Sequence, residues 1–341
     1  MKSYLEKLMN RESLTLEEMK QAAATSFSEQ TTESELASFL TALRVKGETP
    51  EEIAGLAEII RSQSAQTTDI PISAMDNCGT GGDGSHSFNI STTAAFVLAG
   101  AGATVAKHGN RSISSRTGSA DVLEHLGVSL SFTKEHVEKM LTENNIAFLF
   151  APNVHPAMKR FMSVRKNIGI PTIFNLIGPL TNPVALDTQL LGVYRRDILP
   201  LLAQTLHQLG RKRALVINGA GHMDEGSLAG ENHIALLEEG SVTSFTLNPD
   251  EVNLPVYDND AIKGGNAKDN ARILVDVLSG KHGAHRDTVL FNAGLGLFAN
   301  GTAESIRDGI RVAEESIDSG AAMEKLERLT DYSKKVSSEV I

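Results

Sequence analysis

The sequence predicts an α/β chain: a mostly parallel central sheet with helices on both faces, plus a small all-helical N-terminal domain. Three observations predict it. The first 65 residues carry apolar residues at roughly helical spacing. Beyond a polar stretch, SQSAQTTDIPIS (62–73), short β-prone runs alternate with helical ones, as in strands joined by helical crossovers. The last 75 residues return to helix. The expected division is a small helical domain over residues 1–70, with part of 155–186 as a candidate addition, and a large α/β domain over 71–341.

The elements follow in chain order. LTLEE (14–18), ELASFL (35–40) and EEIA (51–54) belong to N-terminal helices, and Pro50, after the break at Gly47, sits where a helix begins. The polar 62–73 stretch reads as a linker and, by composition, a hinge. ISAMDN (72–77) is a weak strand, and AAFVLAGAG (94–102) is helix-like. Strands are expected at Ala103–Ala106, Ile146–Phe150, Leu190–Tyr194 and ALVIN (214–218). Helices are expected from Ser119 to Leu126, stopped by Gly127, and from about Asp197 to Leu209, stopped by Gly210. Residues Ile234 to Leu247 read as two strands turning at Glu239–Gly240.

Bulk properties narrow the function. A chain of 341 residues, 41% hydrophobic and 22% charged, is ordinary globular material. Its net charge of −10 speaks against general nucleic-acid binding. MKSYLEKLMNRESL lacks the apolar core of a signal peptide, and the longest apolar run, Ala94 to Ala106, is too short for a bilayer. The one cysteine, Cys78, permits no internal disulfide and fits a reducing cytoplasm; a small buried filler is preferred over a reactive thiol. The acids are unevenly placed. Gly84 to Ala120 holds none, where the average of 42 in 341 residues would place about 4.6, and Asn144 to Leu186 holds none either. Both stretches carry Lys and Arg, which favours a local anion site.

NCGTGGDGSHSFNIST (77–92) has four glycines between Gly79 and Gly84, with hydroxyl residues following. It meets the dinucleotide spacing G-x-G-x-x-G, but the acid required about 20 residues on is missing. No Lys-Ser/Thr follows the last glycine, so it is not a P-loop. The remaining readings are a nest of backbone N–H groups for phosphate, leading into a helix start capped by Ser or Thr, and a plain tight turn entering a buried helix. KHGNRSISSRTGSAD (107–121) adds Lys107, Arg111 and serines suited to phosphate, with Ser119 as an expected helix cap. Asp224–Glu225, directly after the ALVIN strand, would suit Mg²⁺ bound through one or two carboxylates plus substrate phosphates. No nucleophile elbow, cysteine pair or histidine spacing offers another chemistry. His108 is open as a base, a packed residue or a phosphate contact.

These residues resemble a known family. DNCGTGGDGSHSFNIST, KHGNRSISSRTGSADVLEHLG, HPAMKRFMSVRKNIGIPTIFNLIGPLTNP and MDEGSLAGEN are similar to the anthranilate phosphoribosyltransferases of tryptophan biosynthesis, as are ALRVKGETPEEIAG and FNAGLGLFANG. The resemblance spans nearly the whole chain. It implies transfer of phosphoribose from phosphoribosyl diphosphate to the amine of anthranilate, releasing pyrophosphate, with two Mg²⁺ ions per site, in a cytoplasmic homodimer. By matching motif positions, it implies donor contacts from Gly79, Gly82, Asp83, Ser87, Asn89, Ile90, Ser91 and Thr92. It implies more from Lys107, His108, Gly109, Asn110, Arg111, Ser112, Ile113, Ser114, Ser115 and Ser119. Gly79, Asn110 and Arg165 would bind anthranilate; Ser91, Asp224 and Glu225 would serve the metal. No dedicated base is expected, because the aromatic amine is already neutral at pH 7. The related nucleoside phosphorylases would share the fold, but their glycine loop differs from Gly79–Gly84. Three departures stand out: Arg116-Thr117-Gly118 where Lys-Ser-Gly is usual, Asn218 where a histidine is usual, and Gly226 where a bulky aliphatic residue follows the acidic pair. Gly226 is expected to leave the metal loop freer.

Overall fold

The computed structural model describes residues 1–65, 68, 72–111 and 117–339, the side chains at 337 and 339 aside. Four helices open the chain: Lys2–Met9, Leu16–Phe27, Glu33–Lys46 and Pro50–Ser62. The last three each begin with a capping box, Thr15/Glu18, Thr32/Glu35 and Thr49/Glu52. In each, the threonine hydroxyl accepts an orphan N–H of the first turn and the glutamate accepts the N–H of the cap itself. Such caps typically contribute about 1 kcal/mol each.

Seven strands form one sheet: β1 (Ala74–Gly79), β2 (Thr104–Gly109), β3 (Ile146–Phe150), β4 (Leu186–Gly192), β5 (Arg213–Asn218), β6 (Asn232–Glu238) and β7 (Ser241–Leu247). Their order is β3-β2-β1-β4-β5-β6-β7. The first five are parallel, and β6 and β7 add an antiparallel pair at one edge. The weak strand of the sequence, β1, is the middle one of the five parallel strands. Its polar side chains are buried and, Asn77 Oδ1 apart, partnered: Asp76 accepts from Asn182 Nδ2 at 2.9 Å and His108 N at 3.4 Å, and Asn77 Nδ2 donates to Ser91 O at 2.8 Å. β4 starts four residues before its expected position. Gln189 hides its start in the sequence, yet this side chain is buried and donates to Pro179 O at 2.7 Å.

Alternation along the strands separates two apolar clusters. Leu215 and Ile217 of β5 join one, with helices Ile90–Gly100, Lys134–Asn144, Ala267–Leu278, Ala284–Asn300 and Ile306–Asp318. Ala214 and Val216 join the other, with helix Leu199–Gln208, the N-terminal helices, and Phe161, Phe174 and Ile177. Ile53, Leu56 and Ile60 of the fourth helix are among its buried side chains, each contributing about 1.5–3 kcal/mol. Among the described residues, no helix is long and apolar enough to cross a membrane.

Chain order reverses direction across the sheet between β1 and β4. In a doubly wound sheet the ligand crevice opens outside the carboxyl ends at such a point. The loop after β1, residue 110 after β2 and the turn after β5 all lie at carboxyl ends of parallel strands.

Candidate active site

β1 ends at Gly79, and the glycine loop follows. Gly81, Gly82 and Gly84 take φ of +71°, +83° and +71°, open to glycine and costly for other residues. Asp83 Oδ1 accepts from Ser85 N at 3.1 Å, closing a local turn. The loop's tail is tied to residues 262–264: Phe88 N donates to Ile262 O at 3.0 Å and Gly264 N to His86 O at 2.9 Å. Asn89 is the N-cap of helix Ile90–Gly100, but its side chain makes no capping bond, contrary to the expected hydroxyl cap. Its Oδ1 instead accepts from Asn270 Nδ2 at 2.8 Å. No acid stands in the helix's first turn, so the dipole there is open to an anion. Ile90 and Thr92 are buried, and Ser87 and Ser91 half-buried.

The acidic turn after β5 closes on this loop. Asp224 Oδ2 accepts from Gly81 N at 2.6 Å, and Glu225 Oε1 accepts from Ser91 N at 3.2 Å. The two carboxylates therefore hold N–H groups of the nest and the helix start. Such close approach requires bare backbone at the strand ends. A Cβ at Gly79 would lie 2.2 Å from Asp224 Oδ2, and one at Gly192, where β4 ends, 1.7 Å from Asp224 O. Gly219, just past β5, is equally hemmed in, 2.2 Å from Glu225 O. The expectation that Gly226 frees the loop is overturned. Its N–H donates to Asn292 Oδ1 at 2.8 Å and its carbonyl accepts from Asn292 Nδ2 at 2.9 Å. A Cβ there would meet Leu295 and Phe291 at 2.9 Å, so close docking on helix Ala284–Asn300 replaces the missing side chain.

Lys107, on β2 and 4% exposed, supplies the nearby cation. Its Nζ donates to Asn77 O at 2.5 Å and to Ser91 Oγ at 3.4 Å. Burial raises the Glu225 carboxyl to about 7, against the opposing pull of Lys107 and the Ser91 hydrogen bonds. Burial, then the charges of Glu225 and Asp83, holds Asp224 well above the carboxylate range. Asp83 Oδ2 accepts from Asp224 N at 3.4 Å. Acidic groups crowded so closely that they resist ionising fit a site completed by a divalent cation. Among the described residues, no group of three or more His, Cys, Asp or Glu is placed to hold a metal.

The remaining sequence-expected residues fall around this centre. His108 is buried, edge-on to His155 with ring centroids 5.3 Å apart. Burial and the neighbouring His155 lower His108 to about 3, and burial lowers His155 to about 4, so both rings are neutral at pH 7. Asn110 is exposed beyond β2, and its carbonyl accepts from Ser119 Oγ at 3.2 Å. Ser119 is not the helix cap: Gly118 is, with its N–H held by Asp121 at 2.9 Å, and Ser119 begins the helix. A Cβ at Gly109 would lie 2.3 Å from Ser119 Oγ, so this junction too is closely packed. Arg111 pairs with Asp121 at 2.7 Å and Glu124 at 2.9 Å. Gly82 is exposed. Ser112, Ile113, Ser114, Ser115 and Arg116 lie outside the described residues, as does part of the 62–73 hinge candidate. Arg165 is half-buried on helix Lys159–Ile168, its guanidinium 5.5 Å from the centre of the Phe174 ring. It forms no salt bridge among the described residues, and burial pulls its pKa down. Cys78 is a buried filler whose Sγ donates to Asp76 Oδ2 at 3.5 Å.

A two-part architecture with an acidic, glycine-lined crevice at the sheet's switch point fits a glycosyltransferase, and the chain matches that class. Residues 2–64 match the glycosyl transferase family helical bundle domain, and residues 72–323 the family's a/b domain. The chain is 60% identical over 332 residues to the anthranilate phosphoribosyltransferase of Exiguobacterium sibiricum, covering 96% of this chain and 97% of that one. It is 56% identical to that of Oceanobacillus iheyensis across the full length of both. Among solved structures it is similar to the Thermus thermophilus anthranilate phosphoribosyltransferase, with a TM-score of 0.92, 38% identity, and 97% and 99% of the two chains covered. It is also similar to the Saccharomyces cerevisiae protein solved in complex with PRPP and Mg, with a TM-score of 0.88, 30% identity, and 98% and 97% covered. The chain belongs to the anthranilate phosphoribosyltransferase family. It is a glycosyltransferase of tryptophan biosynthesis that moves phosphoribose from phosphoribosyl diphosphate to anthranilate, EC 2.4.2.18.

Proposed function

We propose that the reaction runs in the crevice between the glycine loop and the acidic turn, and that the residues assigned by resemblance act there. The observation that carries this reading is the pair of contacts Asp224 Oδ2 to Gly81 N and Glu225 Oε1 to Ser91 N. They join the loop, the helix start and the carboxylates in one place. On donor binding, the N–H groups of the loop and the helix start pass to phosphate oxygens, and the carboxylates are released to the metal. Gly79, Gly82, Asp83, Ser87, Asn89 and Thr92 hold the diphosphate side of the donor, Ile90 through its backbone because its side chain is buried in the core. Lys107, with backbone and side chains of 108–115 and Ser119, holds the remaining phosphate and ribose. Arg111 would exchange Asp121 and Glu124 for phosphate.

Asp224, Glu225 and Ser91 would hold two Mg²⁺ ions. Bound Mg²⁺ would supply charge neutralisation to the diphosphate as it leaves. The loop's N–H groups share that task, since negative charge grows on the leaving group as the ribose C1–O bond breaks. Asn110 and Arg165 orient anthranilate, with Arg165 forking its carboxylate. The acceptor's amine attacks C1 with its own lone pair and loses a proton afterwards, so no side chain need act as a strong base. Two neutral imidazoles, His108 and His155, add no charge to compete for the carboxylate. The Saccharomyces cerevisiae protein solved with 4-fluoroanthranilate and with PRPP and Mg supports this pairing of ligands.

The working form is a cytoplasmic homodimer. Its division is a helical domain over residues 1–70, with part of 155–186, and a catalytic α/β domain over 71–341. Met9, Val45 and Met162 stand exposed on the helices of that layer and support a covered surface there. Light scattering during size-exclusion chromatography tests the dimer. Anthranilate fluorescence tests the reaction: emission should fall only with both donor and Mg²⁺, with matching pyrophosphate release. Steady emission from folded protein that still binds donor would reject anthranilate as acceptor.

A further inference from the structure

The turn that presents Asp224 and Glu225 is held from behind by buried asparagines. Asn292, 1% exposed on helix Ala284–Asn300, binds both the N–H and the carbonyl of Gly226 through one amide, at 2.8 and 2.9 Å. Its Nδ2 also donates to Thr288 O at 2.9 Å, which fixes the amide's orientation. Asn232, fully buried on β6, treats Ser227 the same way, accepting from its N–H at 2.8 Å and donating to its carbonyl at 2.9 Å. Successive residues are thus latched by two amides. The Gly226 N–H belongs to the peptide bond that leaves Glu225, so the Asn292 latch fixes the plane from which the Glu225 side chain springs. Glycine at 226 makes that latch necessary. Without a side chain it brings no packing of its own and gives the backbone its widest freedom.

We propose that Asn292 is a positioning residue for the metal: it holds the 224–226 backbone so that both carboxylates face the crevice before any ligand arrives. This rests on the assignment of Asp224 and Glu225 to Mg²⁺. Asn292 touches neither substrate nor carboxylate and acts through Gly226. Partners that orient metal ligands from behind are typically worth about 10–100-fold in metal affinity.

The test compares Asn292→Ala, Asp224→Asn and Asn144→Ala with the wild type. Asn144 is a buried asparagine far along the chain, bonded to Lys325 O at 2.9 Å. Four quantities are read: the thermal midpoint, the Mg²⁺ concentration for half-maximal rate, Mn²⁺ binding with pyrophosphate present by electron paramagnetic resonance, and the anthranilate KM. Asn292→Ala should weaken both metal readouts by about 10–100-fold while the anthranilate KM stays within about twofold. Asn144→Ala should lower only the thermal midpoint. A midpoint drop in Asn292→Ala with unchanged Mg²⁺ and Mn²⁺ readouts overturns the positioning role. If Asp224→Asn is equally silent, the metal assignment beneath it fails instead. Hydrogen exchange of the wild-type 219–231 segment gives a reading that needs no variant. Slow exchange without ligand, little changed by Mg²⁺ and pyrophosphate, is expected. Fast exchange that slows only when the metal is added would show that the latch does not preorganise the turn.

Discussion

Replacing Glu225 with glutamine should stabilise the metal-free protein, and only above acid pH. The carboxyl stands at about 7 in the fold against an ordinary 4.5, chiefly through burial. A carboxyl raised in this way is protonated in both states at low pH and costs nothing there. As pH rises from 4.5 towards 7, the unfolded chain releases its proton and the folded chain does not, so stability falls. Above about 7 the full penalty is present. Such a displacement corresponds to about 3 kcal/mol, and partial solvent access at Glu225 reduces the working figure to about 2 kcal/mol. With about 2.1 cal/mol/K of unfolding entropy per residue, a chain of 341 residues converts this to about 3 °C. Differential scanning calorimetry in chelator should therefore show Glu225→Gln melting about 3 °C higher than wild type at pH 8, and within about 1 °C at pH 5. Mg²⁺ with pyrophosphate should erase the advantage at pH 8, because the wild-type carboxylate then has a cation to face. An equal gain at both pH values would refute the electrostatic reasoning and leave simple repacking as the cause.

Three further outcomes follow from the geometry. Arg165→Ala should raise the anthranilate KM by about 30-fold, the worth of a charge-assisted fork near 2 kcal/mol, with the donor KM little changed; steady-state kinetics in both substrates would expose a general defect by moving both. Gly79→Ala should cost about 1–3 kcal/mol from overpacking and also raise the Mg²⁺ requirement, because the new methyl lands on Asp224; normal metal titration in a destabilised protein would separate the two effects. Lys107→Met removes the cation that holds Glu225 down, so the acid limb of the kcat/KM profile should move up by about one pH unit; an unmoved limb would mean another group sets it.

Much of this was legible in the residues. The glycine loop, the helix after it and the acidic pair each carry a local signal: four glycines in six residues, an apolar run without acids, and carboxylates directly after a β-prone run. β3 at Ile146–Phe150 and the hairpin turning at Glu239–Gly240 stand where apolar alternation puts them. Harder to read was whatever depends on long-range partners. β1 reads as weak because Asp76 and Asn77 interrupt it, and partners distant in sequence, Asn182 and His108 for Asp76 and Ser91 for Asn77, make those side chains tolerable inside a sheet. Asn270 behind Asn89 and Asn292 behind Gly226 were invisible for the same reason. Asparagine in a helix has no local signature that separates a buried latch from a surface residue. Gly226 misled outright, since a missing side chain suggests freedom until Leu295 and Phe291 are seen against it.

The bare strand ends have a consequence for how this sequence can drift. Gly79, Gly192 and Gly219 lie 113 and 27 residues apart along the chain, yet all press on one two-residue turn. No one of them can acquire a side chain unless the turn retreats, and a retreat suited to one would leave gaps at the other two. Single-step variation at these positions therefore leads downhill in every direction. On the proposed assignment anthranilate meets both Gly79, which belongs to this interlock, and Arg165, which rests on Phe174 and is not among the residues that press on the turn. On that assignment, change in the choice of acceptor would have to come through the Arg165 side, while the three glycines stay fixed.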